Sequence, residues 1–283
     1  MIEILVKKLR DHLYRLEEYG GPNRVHAYLI CGSEKTLMID GLWLAEGLLA
    51  ETDKILKLEY GESYTQENRN NRLEMLITHG HEDHAGKGMK EFLRAGCSVY
   101  LSEKDWLLLA EKYRDQKAQI TFLTEEKNIE LGGITAQIRK MPGHTLGSLM
   151  VYVPEWHVLC TSDAVGAGVL WMQLPECSPL VSYEQELYRF LAFLEEEKKK
   201  NGEEVAIYPG HAQQIRSESG EEKDSLNYAY IREVLLLTQK ILENPQIGEP
   251  KTIDYPGLEG VKVRSAAGKL LYDYCYDEER CFD

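Results

Sequence analysis

The chain has 283 residues, 43% of them hydrophobic, and a formal net charge of -14 at pH 7. This length and composition allow a large buried core, and the simplest organisation is a single domain with insertions over residues 1–283. The negative charge argues against a nucleic-acid partner, because binding to a phosphate backbone relies on Lys and Arg to displace counterions.

No apolar run reaches the roughly 18 residues of a membrane-spanning helix. The first residues, Met1 to Lys8, also lack the apolar core and the flanks of a signal peptide. We therefore expect a cytoplasmic protein with no membrane partner. The six cysteines form no CxxC pair and are widely spread, which favours reduced thiols over a disulfide framework.

Apolar runs and helical spacing predict alternating strands and helices in the first part of the chain. We expect strands near residues 25–30, 36–39, 73–78 and 97–101, and helices near residues 44–58 and 86–95. A further helix is expected to begin at Ser102, with Ser102 as its cap and Asp105 as a charge in its first turn.

The second part of the chain repeats this alternation. Strands are expected near residues 134–139, 149–153, 157–161 and 204–208, and helices near residues 183–200 and 223–243. Two strand-rich halves that are both flanked by helices predict an α/β fold of the αββα sandwich type.

A dense histidine cluster directly follows the predicted strand at 73–77. His79, His81 and His84 lie together with Asp83 within six positions. Imidazole and carboxylate are the ligands that zinc, iron and manganese prefer, so the cluster predicts a metal site. His79 and His81, two residues apart at a strand end, point the same way and fit one ion, whereas Asp83 and His84 can reach a second.

Three later segments each place a possible ligand where a strand begins or ends. His144 stands between glycines in Pro142-Gly143-His144, Asp163 ends an apolar strand, and His211 follows another in Pro209-Gly210-His211. A two-metal site needs a bridging residue, and a catalytic site keeps a position for water. These segments supply the ligands that the first cluster lacks.

The order HxHxDH, GHTxGS, SD and PGH, preceded by Asp40 at the end of an early strand, resembles the metallo-β-lactamase superfamily and its glyoxalase II-like hydrolases. This resemblance implies two divalent metal ions, with zinc expected and iron or manganese as alternatives. It implies that Asp163 bridges both ions and that Asp40 hydrogen-bonds a ligand histidine or a loop. The other implied ligands are His79, His81 and His144 for metal 1, and Asp83, His84 and His211 for metal 2.

Two departures from that pattern concern the residues around Asp163. The family often has glycine before the bridging carboxylate, where this chain has Ser162. Glutathione-thioester hydrolases of this type carry basic residues just after it, whereas residues 164–172 contain no Lys or Arg. Lys262, Arg264 and Lys269 follow later in no spacing that matches. The resemblance therefore predicts the chemistry without predicting glutathione as the substrate.

Two segments resemble insertions. Residues 61–72 are polar and predict a surface loop. Residues 166–181 are apolar and begin three residues after Asp163. They are either a core strand followed by a turn, or a pocket wall in which Trp171 and Met172 contact the substrate.

The ligand set predicts a hydrolase of a small ester, thioester or lactone that uses a metal-bridging hydroxide, with Asp83 and Asp163 orienting it and passing on its proton. Three alternatives remain open. One is an iron oxidoreductase of the persulfide dioxygenase kind, and another is a phosphodiesterase on the same fold. The third is a protein that keeps the ligands for structure or sensing. The expected partner is a small-molecule substrate.

Overall fold

The computed structural model describes residues 2–212, 225–254 and 258–282. The strands are β1 Glu3–Arg10, β2 Leu13–Tyr19, β3 His26–Cys31, β4 Thr36–Ile39, β5 Leu73–Ile77, β6 Ser98–Ser102, β7 Ile120–Leu123, β8 Lys127–Glu130, β9 Thr135–Lys140, β10 Leu149–Val153, β11 Val158–Ser162, β12 Val169–Met172, β13 Ala206–Pro209, β14 Glu249–Ile253, β15 Val261–Ala266 and β16 Asp273–Tyr276. The helices are α1 Leu48–Tyr60, α2 Glu82–Ala85, α3 Lys87–Arg94, α4 Trp106–Tyr113, α5 Leu180–Asn201 and α6 Tyr228–Glu243.

Two sheets stacked face to face form the centre of the molecule. One has seven strands in the order β1 to β7, and the other has five in the order β13-β11-β10-β9-β8. Side chains alternate between the two faces of each strand. Leu149, Val151 and Val153 of β10 lie in the core between the sheets, whereas Met150 and Tyr152 face the helices on the outside.

Helices cover the outer face of each sheet. Residues of α1, α3 and α4 share a buried core with the seven-stranded sheet, and residues of α5 and α6 share one with the five-stranded sheet. The predicted αββα sandwich is therefore confirmed. Among the described residues, no helix has both the length and the apolar content needed to cross a membrane.

Strands β7 and β8 are absent from the sequence-based prediction, and so are two larger parts of the fold. The first is the N-terminal hairpin of β1 and β2, which extends the seven-stranded sheet. The second is a third sheet with the strand order β12-β16-β15-β14, in which β12 pairs with β16 in parallel. This sheet fixes the segment that follows Asp163 against the C-terminal part of the chain.

The helices predicted over 44–58 and 183–200 are observed at Leu48–Tyr60 and Leu180–Asn201, and two other predicted helices begin later than expected. A short 3-10 turn, Glu103–Asp105, follows Ser102, whose side chain makes no capping hydrogen bond, and α4 begins only at Trp106. The helix expected over 223–243 begins at Tyr228, and positions 223 and 224 lie outside the described residues. The polar segment 61–72 is mostly exposed and contains two 3-10 turns, Gly61–Ser63 and Gln66–Asn71.

Candidate metal centre

The candidate ligands come together at one edge of the stacked sheets. His79 and His81 follow β5, Asp163 follows β11, and His211 follows β13. His144 lies in the connection between β9 and β10, and α2 carries Asp83 and His84. Because β11 and β13 run parallel, the residues that follow them lie at the same end of the five-stranded sheet.

Three imidazoles form the first group. The ligand atoms of His79, His81 and His144 all lie within 4.8 Å of one another. His81 Nδ1 and His144 Nε2 are 2.9 Å apart. His79 Nε2 is buried and has no hydrogen-bond partner in the described part of the chain. Three ring nitrogens that converge in this way, one of them without a partner, fit a cation at their centre.

The second group consists of Asp83, His84, Asp163 and His211, whose ligand atoms also lie within 4.8 Å of one another. Asp163 Oδ2 is 3.1 Å from His211 Nε2 and 3.5 Å from His84 Nε2. The same oxygen is 3.8 Å from His144 Nε2, which belongs to the first group. Asp163 therefore lies between the two groups, in the position that a bridging carboxylate would need.

Hydrogen bonds on the outer side of four rings fix which nitrogen faces the cluster. These bonds join His79 Nδ1 to Thr78 Oγ1 (3.1 Å), His81 Nε2 to Glu176 Oε1 (2.7 Å), His84 Nδ1 to Asp40 Oδ2 (2.9 Å) and His144 Nδ1 to the carbonyl of Trp171 (2.8 Å). Each ring thereby keeps its other nitrogen directed at the cluster.

Asp40 hydrogen-bonds both a candidate ligand histidine and a loop backbone, the two partners expected of it. Its Oδ1 accepts from the backbone N–H of Thr78, and its Oδ2 accepts from His84 and from the hydroxyls of Thr78 and Ser162. Asp40 is buried and has a left-handed φ of 66°. It thus ties the end of β4 to the ends of β5 and β11, which carry candidate ligands.

Ser162 explains why glycine suits the position before Asp163. Its φ is 46°, in the left-handed region that favours glycine. The serine hydroxyl donates to Asp40 Oδ2 over 2.8 Å. In this chain, the strain of a side chain at that φ is therefore accompanied by a hydrogen bond that glycine does not make.

Asp105 is a site residue that sequence reasoning missed. Its buried carboxylate accepts from the N–H of Gly80 (2.8 Å) and the hydroxyl of Thr145 (2.7 Å), and it also accepts from the N–H of Gly147. Burial raises the pKa of Asp105, against the lowering effect of these three donors. The sequence predicts Asp105 as a charge in the first turn of a helix that begins at Ser102, but α4 begins at Trp106 and the Asp105 carboxylate joins the loop of His79 and His81 to the loop of His144.

Burial and neighbouring charges set the protonation of the cluster. Burial lowers the pKa of His79 well below its usual range and that of His144 to about 4, so both imidazoles are neutral near pH 7. Burial alone would raise the pKa of Asp163, but His211 and His84 hold it well below its usual range. Burial lowers the pKa of His84, but the carboxylates of Asp163, Asp83 and Asp40 outweigh it and raise that pKa well above normal. A cation would therefore compete with a proton for His84.

A cavity of about 570 Å³ opens onto the two groups. Five of the seven candidate ligands line it: His81, Asp83, His144, Asp163 and His211. Its apolar wall includes Val169, Leu170, Trp171 and Leu174 from the segment 166–181. Met172 is buried in the core of the outer helical layer and does not line the cavity. The structure therefore places Met172 in this core and not in the pocket wall predicted for it.

Comparisons with known proteins agree with this fold and site. Residues 20–211 match the family described as the Metallo-beta-lactamase superfamily, a span that includes all seven candidate ligands. The chain therefore belongs to the metallo-β-lactamase superfamily.

Two of the relatives are named as a hydrolase and a thioesterase. A hydroxyacylglutathione hydrolase from Hyphomonas neptunium is 30% identical over 157 residues, which cover 55% of this chain and 53% of that protein. The human acyl-coenzyme A thioesterase MBLAC2 is 27% identical over 195 residues, which cover 60% of this chain and 69% of that protein. The chain spans about half the length of the first of these relatives.

A solved structure shows the same fold at lower sequence identity. The DIM-1 metallo-beta-lactamase has a TM-score of 0.60 and 17% identity, with 85% of this chain and 99% of that chain covered. The similarity supports the fold alone.

Proposed function

We propose that this protein is a metal-dependent hydrolase of a small ester, thioester or lactone, and that it uses two divalent metal ions, with zinc as the expected metal. The observation that carries the proposal is the convergence of seven candidate ligands beneath one cavity, with Asp163 between two groups. Membership of the superfamily supports the same reaction class, as do the relatives named as a hydroxyacylglutathione hydrolase and an acyl-coenzyme A thioesterase.

The donor set matches two ions of this kind. His79, His81 and His144 would hold one ion, and Asp83, His84 and His211 would hold the other, with Asp163 shared. Imidazole nitrogens and carboxylate oxygens suit zinc, and also manganese or iron. The outer hydrogen bonds of the rings fit this assignment, because each leaves one nitrogen free to coordinate.

Two such ions, when bound, supply Lewis acidity and lower the pKa of a water between them towards neutrality. Asp83 and Asp163 both line the cavity, where their carboxylates orient the attacking water and accept its proton. Trp171 and the neighbouring apolar residues hold the substrate next to these groups and limit the access of bulk water.

Elemental analysis of protein purified without a chelator tests the metal content. We expect two metal ions per chain in the wild type, loss of one with His211→Asn, and loss of both with Asp163→Ala, which removes a ligand from each site. His157→Asn is the matched control, because His157 lies outside the cluster, bonds Glu203 and has a φ of 50° that asparagine tolerates. One tightly bound ion that His211→Asn leaves in place would contradict the two-ion proposal.

A panel of uncharged esters, thioesters and lactones tests the reaction. We expect the metal-loaded protein to hydrolyse at least one class, to lose this activity with a chelator, and to regain it with zinc. Metal-loaded protein that cleaves no member of the panel would contradict the proposed reaction.

A further inference from the structure

We infer that the cavity selects uncharged or cationic substrates and discriminates against anionic ones. This inference rests on the proposed function and specifies the substrate class of the same site. It is carried by the charges and the polarity of the cavity lining, separately from the metal ligands.

The lining beyond the candidate ligands carries acidic groups. Glu82, Glu176 and Asp273 all line the cavity. Among the lining residues that the structure describes, there is no Lys or Arg. The chain as a whole has a net charge of -14, so its long-range field also repels anions.

Two lysines reach lining carboxylates from outside, and each is paired with one. Lys112 bonds Glu82 over 2.9 Å, and Lys251 bonds Asp273 over 2.5 Å. Glu176 in turn accepts from His81. These contacts partly neutralise the acidic groups, but they leave both lysines engaged with carboxylates and not directed at a ligand.

The rest of the wall is apolar. Val169, Leu170, Trp171, Leu174 and Leu258 contribute its aliphatic and aromatic surface. A carboxylate or phosphate that is moved from water to such a wall loses hydration and needs a paired cation in return. The described lining contains no Lys or Arg that could pair with it, so such an anion would have to compete for the proposed metal ions.

Glutathione and coenzyme A, which appear in the names of the two relatives, are both anionic. Glutathione carries two carboxylates and coenzyme A carries phosphates, and both are usually bound by Arg or Lys. We therefore expect a substrate with an apolar acyl or lactone portion, and with a leaving group that is uncharged or cationic.

Three thioesters with one reactive centre test this selection. They are the S-hexanoyl esters of N-butanoyl-, N-trimethylglycyl- and N-succinyl-cysteamine, which share the acyl chain and the thiol but carry neutral, cationic and anionic tails. With zinc-loaded protein, we expect kcat/KM for the anionic ester to be at least about tenfold below the neutral one, mainly through KM, because like charges meet in the cavity. For the cationic ester, kcat/KM should equal or exceed the value for the neutral ester.

Binding of the corresponding S-hexyl thioethers, which cannot be hydrolysed, separates the two proposals. Tighter binding of the neutral and cationic thioethers than of the anionic one supports the charge selection even if no ester is cleaved, in which case only the proposed reaction fails. Equal or tighter binding of the anionic thioether overturns the inference, whatever the hydrolysis result.

A charge placed in the wall gives an independent check. Val169→Lys and Val169→Met add side chains of similar length at a partly exposed lining position of β12, and they differ in charge. We expect Val169→Lys, but not Val169→Met, to increase the affinity for the anionic thioether relative to the neutral thioether by about tenfold. A ratio that is the same in both variants would count against the inference.

Discussion

Removal of the Asp105 carboxylate should loosen the metal centre from a position that holds no metal ligand. In Asp105→Ala, the backbone N–H groups of Gly80 and Gly147 lose the acceptor that joins two ligand loops, while Thr145 keeps a bond to Ser148. Two buried donors without partners cost about 1 to 3 kcal/mol each, so we expect the free energy of unfolding to fall by about 2 to 6 kcal/mol. Relief of the burial of a carboxylate reduces this loss.

The same change should weaken zinc binding, because the 2.9 Å separation of His81 and His144 depends on the two joined loops. We expect a 10- to 100-fold lower affinity, the usual effect of removing a partner of metal ligands. Competition with a chromophoric chelator measures the affinity, and urea unfolding of the metal-free protein measures the stability.

Asp115→Ala is the control for the Asp105 variant, because Asp115 is an exposed acid outside the cluster. Asp115→Ala should change neither the zinc affinity nor the free energy of unfolding. The reasoning fails if Asp105→Ala binds zinc as tightly as the wild type, or if the control weakens binding equally. Asp105→Asn keeps an acceptor but removes the charge. Its zinc affinity and stability should therefore lie between those of Asp105→Ala and the wild type.

Three further predictions follow from contacts at and beneath the site. Gly210→Ala places a Cβ 2.1 Å from Asp163 Oδ1 and 2.8 Å from His84 Cε1, so elemental analysis should show metal loss while circular dichroism shows an intact fold. Asp40→Asn should lower zinc affinity or turnover about 10- to 100-fold, and unchanged values would mean that its hydrogen bonds do not support the site. Burial lowers the pKa of His26 to about 4, so the unfolded chain binds its proton first as the pH falls below about 6.5. As the pH decreases between these values, the free energy of unfolding of the metal-free protein should decrease. His26→Gln should make this decrease shallower by at most about 1.4 kcal/mol per pH unit. Urea titrations at several pH values measure it.

The layer arrangement and the grouping of the candidate ligands could be predicted from the sequence because both depend on local patterns. Each candidate ligand lies close to the end of an apolar strand or in a glycine-rich turn. Ends of neighbouring strands meet at one edge of a sheet, so proximity followed from the order of the motifs.

Features that depend on distant contacts were not predictable in this way. Asp105 has the sequence context of an ordinary helix start, and only the fold brings it to Gly80 and Thr145. Strand β14, with the sequence Glu-Pro-Lys-Thr-Ile, is mostly exposed and shows little apolar signal. Met172 could not be separated from Trp171 by sequence, because both are large apolar residues of one segment and only the packing places Met172 in the core and Trp171 at the cavity.

The parallel pairing of β12 with β16 brings a later part of the chain, which holds no candidate ligand, to the wall of the cavity. All seven candidate ligands lie at or before His211, whereas strands β14 to β16 come after it and hold the wall strand β12 in place. Substitutions at Leu258, Tyr272 and Asp273, which line the cavity from this later part of the chain, can therefore reshape what the cavity accepts without replacing a candidate ligand. Changes to the accepted substrate can therefore begin at positions where no metal ligand is at risk.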